Sequence, residues 1–413
     1  MKKALIVAAA TSAAVAASGS AQNRGSGTVS YWMSAETVSG LGAMAAGQQG
    51  GRSAMVAAMM SGRGPRADAY AHNLRLELGS PRRPSGAPTA DHFIPAGLNA
   101  GPSLPLVTPE AAPPTPVRPY ENPGLADGPS NGRILIYWGC GDHARQGQPY
   151  EFDLASLRAG RVPPAMASLA IHAMNPPSRA SSTTFGEWPN ERSRTPIPAN
   201  GSLVGAHRIS GNYSPDINFT LAQGQDFLPP ITLTANTPAA GGAVPVAWQP
   251  VTNARAYFLM ASGAGPDNTI VIWTSSEVQF SQAGAFDYLA PEEISRLLAQ
   301  RVLLQPTVTQ CTVPAEVATR VQAASLMMTA FGPEANFSYP ARPANAPRGW
   351  APDWTVKLRT RSAYTGLLGR DMAAMMRGEG ASDERRGTQR QQQQEQRRRR
   401  NPLGGLLGRV VGQ

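Results

Sequence analysis

The residues best placed by type and spacing to do chemistry are Gly139-Cys140-Gly141-Asp142-His143. A nucleophilic cysteine needs a base to take the thiol proton, and His143 stands three residues from Cys140. The flanking glycines leave room for a substrate to approach. No papain-like local signature surrounds the pair. The sequence holds one other cysteine, Cys311. In an oxidising compartment an even count favours pairing. A Cys140–Cys311 disulfide is therefore the preferred reading. A free structural thiol and a hydrolase-like site at Cys140, Asp142 and His143 are its rivals. Closing so long a loop is worth on the order of 5 kcal/mol in the chain-entropy model.

Other constellations are weaker. His72, His92, His143, His172 and His207 form no His-x-His or His-x3-His pattern, so no zinc site is visible. Met44, Met55, Met59 and Met60 are soft ligands suited to copper(I). With no Met-x-Met spacing, a small-residue packing segment explains them as well. There is no Gly-x-Ser-x-Gly elbow, Ser-x-x-Lys or Walker loop. No catalytic residue, cofactor or metal is expected.

Trp188, Trp350 and Trp354 lie in Pro- and Gly-containing stretches. Exposed there, they are candidate platforms for sugar rings or partner chains. Folded back, they cap a core. Arg397, Arg398, Arg399 and Arg400 follow a Gln run and precede an apolar end. They are candidates for docking on anionic envelope material, another envelope protein or a membrane surface.

The elements that position these residues begin with an export signal. Lys2 and Lys3 precede an uncharged, Ala-rich run from Ala4 to Ala17, then Ser18, Gly19, Ser20 and Ala21. That is the plan of a cleavable signal peptide over 1–21, with Ala17 the alternative cut. The apolar run falls short of the ~20 residues of a bilayer span. The chain is expected to be exported to the periplasm or outer cell envelope of a bacterium.

Charged residues are only 15% of the 413, against ~25% in ordinary globular chains. The 42 Gly and 38 Pro favour short strands and long loops. The net charge is +10, and much of it lies in the two terminal segments. Nucleic-acid binding is not expected of the body.

Residues 22–100 are Gly/Ala/Met-rich with short strands, Thr28–Met33 and the alternating Leu74, Leu76 and Leu78 among them. Nine prolines between 101 and 132 mark an extended linker outside any ladder. Arg133–Cys140 opens a β-rich region, 133–227, with a strand apolar on both faces. Phe152–Arg158 is expected as a helical turn, and Leu203–Ile209 and Ile217–Leu221 as strands. Residues 231–280 hold four strands separated by Gly/Pro/Asn turns.

Trp248-x-x-Val251-x-x-Ala254-x-x-Tyr257 resembles the core of fibronectin type III modules. There a Trp closing one strand and a Tyr opening the next pack mid-sandwich. The resemblance covers about 228–340, within a region bounded at 228–345, and implies an antiparallel β-sandwich used for binding or spacing, with no catalytic residues. Ala290–Arg301 departs from it, reading as a helix with Pro in its first turn. Val302–Leu304, Val308–Val313 and Leu326–Phe331 continue as strands. Residues 346–377 supply a strand with one basic face, through Lys357 and Arg359, and a short helix from Gly366. Residues 378–413 cannot bury a core and are expected to be disordered. The expected fold is mainly β, an antiparallel sandwich or sandwiches with few short helices. The expected function is an exported non-enzymatic binding or structural protein, with the hydrolase and copper readings as alternatives.

Overall fold

A strand whose alternate residues are apolar must bury one face against a second layer. In the computed structural model, which describes residues 27–46, 70–110, 132–153, 156, 171–280 and 287–370, sixteen strands do so in three sheets. They are β1 Val29–Gly40, β2 Tyr70–Ser80, β3 Ala90–Phe93, β4 Ser103–Pro105, β5 Arg133–Trp138, β6 Tyr150–Asp153, β7 Thr184–Trp188 and β8 Gly205–Gly211. After these come β9 Ile217–Leu221, β10 Leu233–Asn236, β11 Val244–Trp248, β12 Ala256–Ala264, β13 Thr269–Thr274, β14 Gln310–Val313, β15 Ala324–Tyr339 and β16 Trp354–Leu367. The described helices are short: α1 Leu41–Ala46, α2 Pro291–Ala299 and α3 Ala315–Ala318. The chain is mainly β, as its composition implies.

One sheet has nine strands in the order β6-β5-β13-β12-β15-β16-β1-β2-β7. It is mixed, because β1 runs parallel to β16 and β5 parallel to β13. Two smaller antiparallel sheets, β4-β3-β8-β9 and β10-β11-β14, pack on one of its faces. Residue parity on β16 shows that the face is shared. Trp354, Val356 and Leu358 join the core under the four-stranded sheet, and Tyr364, of the same parity, joins the core under the three-stranded one.

The long hairpin β15–β16 therefore passes through both cores. Leu326, Met328 and Ala330 face inward in its first half, Ala335 and Phe337 in its second. The change of parity is a bulge between Phe331 and Glu334. Gly332 sits in it, where a Cβ would stand 2.9 Å from the Thr360 carbonyl oxygen. Each core buries leucine- and aromatic-sized side chains, worth roughly 1.5–3 kcal/mol apiece.

On the opposite face of the large sheet, Ile294 and Leu297 of α2 pack on Ala256, Phe258 and Phe331. Pro291 opens this helix with Glu292 and Glu293 in its first turn, as its sequence implies. Strand β5 is buried on both faces. Leu135 and Tyr137 enter the core under the three-stranded sheet, and Ile134 and Ile136 a small cluster beneath Tyr150 and Phe152.

Several expectations need correction. The Pro-rich stretch does enter a ladder: Ser103–Pro105 pairs with β3, and Val107 bridges Glu187. Pro105 is tolerated because β4 is an edge strand. Residues 111–131 lie outside the described residues. Phe152 and Asp153 end strand β6 instead of starting a helix, since β5 offers them a partner. Val302–Leu304 forms only an isolated bridge, Leu304 to Tyr257. Gly366 and Leu367 still belong to β16, and the rest of the expected helix, from 371, lies outside the described residues.

Candidate functional site

Gly139-Cys140-Gly141-Asp142-His143 follows β5 and docks on β14 and α3. Gly139 N–H donates to the Thr274 carbonyl at 3.0 Å and Gly141 N–H to that of Thr312 at 2.9 Å. Cys140 and Cys311 form a disulfide with Cα atoms 5.1 Å apart. The sulfur is thereby committed and cannot serve as a nucleophile. The Asp142 carbonyl accepts from Ala315 N–H at 3.0 Å, at the start of α3. His143 meets Glu316 at 3.1 Å, and Glu316 also accepts from Ala144 N–H at 2.9 Å. The Ala144 bond leads in holding the Glu316 carboxyl below its ordinary range. The pentapeptide anchors the loop. It does not assemble a catalytic centre.

The candidate aromatic platforms are mostly interior. Trp188 closes β7 at 2% exposure and Trp354 opens β16 at 7%, both in the core under the four-stranded sheet. Strand pairing with β2 and β1 turns their rings inward. Trp350 is half-buried in a loop beside the Arg342 guanidinium. Met55, Met59, Met60 and Arg397, Arg398, Arg399 and Arg400 lie outside the described residues, as do residues 1–21. Met44 falls in α1, with its side chain outside them. Among the described residues no three His, Cys, Asp or Glu side chains group as a metal site. No helix among them is long and apolar enough to cross a membrane.

A different place draws charged groups together. On the face of the large sheet turned away from the two smaller sheets, the register sets Trp32 beside Glu77 and Lys357, Ser34 beside Arg75 and Arg359, and Glu36 beside Asn73 and Arg361. The result is a lattice of opposite charges on three adjacent strands. Glu77 and Glu187 stand directly opposite across β2 and β7. Arg75 lies between them, 3.0 Å from Glu77 Oε1 and 3.5 Å from Glu187 Oε2. Arg361 pairs with Glu36 at 2.8 Å, and Asn73 donates to the same carboxylate at 2.9 Å. Lys357 pairs with Glu334 and lies over the Trp32 ring. The Arg359 and Arg361 guanidiniums flank Tyr288 at 4.4 and 4.6 Å from its ring centre.

A cleft of about 630 Å³ opens over this lattice. Ser34, Glu77, Arg359 and Arg361 line its floor, Tyr288 and Pro176 one side, and Trp188 and Arg194 another. Glu77 is 2% exposed, and its Oε2 has no hydrogen-bond partner among the described residues. Burial pushes its carboxyl up, against the pull of Arg75 and Arg359. Burial likewise lowers Arg359 from its ordinary range. Tyr288 is raised by burial, with the two guanidiniums opposing.

The sequence marks this site only in part. The basic face of β16 is visible in the alternation of Lys357 and Arg359. The acidic and aromatic partners on β1 come from 325 positions earlier, and only the parallel β1–β16 register brings them, with β2 beside them, alongside.

No family model, no curated protein and no solved structure matches the chain.

Proposed function

We propose that the chain is an exported, non-enzymatic binding or structural protein of a bacterial cell envelope, with the charged cleft as its ligand site. The observation that carries the compartment is the Cys140–Cys311 disulfide, which ties the loop after β5 to β14 and is of a kind concentrated where thiols are oxidised. The basic head and apolar run at 1–21 support the same reading.

The binding role rests on the architecture. Strands β10-β11-β14 face β13-β12-β15-β16, a three-on-four antiparallel arrangement in which Trp248 and Tyr257 meet edge to face at 5.4 Å. This order supports a fibronectin type III-like module, with α2 inserted between its fourth and fifth strands. Such modules present surfaces rather than catalytic centres. In this reading the Arg397–Arg400 tail adds peripheral docking on anionic envelope components.

The test is fractionation of native cells with alkylation before any reduction. Recovery in the envelope fraction, beginning at Gln22 and carrying no alkyl group, supports the proposal. A cytoplasmic chain retaining Met1, or one with labelled thiols, overturns it.

A further inference from the structure

Two buried charged side chains in the cleft have incomplete partners. Arg359 is 6% exposed. Its Nε donates to Ser34 Oγ at 2.7 Å, Nη1 lies 4.0 Å from Met174 Sδ, and Trp32 and Tyr288 cover the guanidinium. No carboxylate among the described residues forms an ion pair with it. Glu77, two strands away, has one oxygen bonded to Arg75 and the other bonded to nothing described. A buried charge left in this condition is costly, and a ligand that completes it recovers that cost.

The lining restricts what the ligand is. Arg75 is held by Glu77 and Glu187, and Arg361 by Glu36 and Asp287, so Arg359 is the cleft cation that no described carboxylate neutralises. A group that meets Arg359 therefore carries negative charge. Phosphate offers Glu77 mainly acceptors, whereas the bare Glu77 oxygen needs a donor. A planar carboxylate matches the guanidinium fork, and hydroxyls beside it supply the donors. The cleft volume is in the range of small-molecule sites, ~300–1,000 Å³.

We propose that this cleft binds a carboxylate-bearing sugar, a uronic acid unit or a short chain of them. Its carboxylate meets Arg359 and Arg75, and a hydroxyl reaches Glu77 directly or through one water. The proposal rests on the reading of the chain as a binding protein, and deepens it by naming the ligand class.

The test is calorimetric titration of the mature, disulfide-bonded protein at pH 7. The probes are D-glucuronate and trigalacturonate, with D-glucose, inorganic phosphate and an N-acetylated dipeptide as comparisons. Trigalacturonate is expected to bind at least tenfold more tightly than any of the three comparisons. Arg359→Lys and Glu77→Gln are each expected to weaken it by about tenfold, consistent with the loss of one charge-assisted contact. Arg75→Gln changes an exposed rim residue and keeps the test open if the Arg359 variant does not fold; it is expected to weaken binding severalfold. Equal binding of phosphate would reduce the cleft to a general anion site, and tighter binding of the dipeptide would assign it to peptide termini. Either result overturns the proposal, as does absence of binding or binding unchanged in the folded variants. Fractionation reads the compartment independently, so loss of the ligand class leaves the envelope assignment standing.

Discussion

His92 donates from Nε2 to His207 Nδ1 at 2.9 Å, inside the core between β1 and the four-stranded sheet. The direction follows from the far end. His207 Nε2 lies 2.7 Å from the Leu203 carbonyl, which only accepts, so His207 carries its proton there and presents a bare Nδ1. His92 Nδ1 then accepts from the Tyr31 hydroxyl at 2.8 Å. The chain of bonds is complete with both rings neutral.

Acid should therefore loosen this core. Burial lowers both histidines, His92 also through its neighbour, and for His207 it outweighs the upward pull of the Leu203 bond and Asp226. Burial lowers His72 too, against Ala199 and Asp226. A depressed folded pKa means that the unfolded chain takes up protons first. Stability is complete above the unfolded value of ~6.5 and falls as pH drops below it. Urea midpoints should decline between pH 7.5 and 5. The His92→Phe/His207→Leu variant should be weaker at neutral pH but show a flatter decline, with His72 still titrating. An unchanged slope would remove the two rings as its cause.

Reduction of Cys140–Cys311 should cost the folded protein roughly 2–5 kcal/mol, since the bond closes a loop spanning 171 positions. Urea unfolding with and without a phosphine reductant measures it. A difference under 1 kcal/mol would mean that the docked loop alone holds the two sheets.

Tyr257→Phe tests the centre of the other core. The Tyr257 hydroxyl accepts from the buried Val251 N–H at 2.9 Å. Without it that donor is stranded, at about 1–3 kcal/mol. Trp248 keeps its edge-to-face contact with the ring, so the loss isolates the hydrogen bond. Denaturant unfolding is the measurement.

Glu77→Gln is expected to leave stability at pH 7 unchanged or raised. The folded carboxyl is shifted upward by burial, so its charge opposes folding above the unfolded value, and that penalty shrinks as pH falls. The amide lacks the charge and keeps two polar atoms. Melting curves at pH 4 and 7.5 should show the benefit only at the higher value. Marked destabilisation at pH 7.5 would show that the Arg75 contact outweighs desolvation.

The strands were legible wherever one chain segment carries its own pattern. Leu74, Leu76 and Leu78 alternate and Ile134 to Tyr137 run apolar, and both segments are strands; Trp248 and Tyr257 are buried in one core. The disulfide was legible from the even count of two cysteines. Segments whose fate is set by a distant partner were harder to read. Ser103–Pro105 becomes a strand because β3 lies beside it, and Trp188 is buried because β2 draws it into the sheet. The cleft depends entirely on such pairings, and Glu77 alone looks like the solvent face of an ordinary strand.

The parallel pairing of β1 with β16 joins residues 325 positions apart. A chain made from its N-terminus must hold β1 with one edge open until the last described strand arrives. Contacts so distant in sequence are slow to form, and an open edge invites pairing with other chains. The hairpin that closes that edge also completes both cores, so neither half has a finished state to wait in. Truncation before Trp354 should leave both halves unfinished rather than one domain intact.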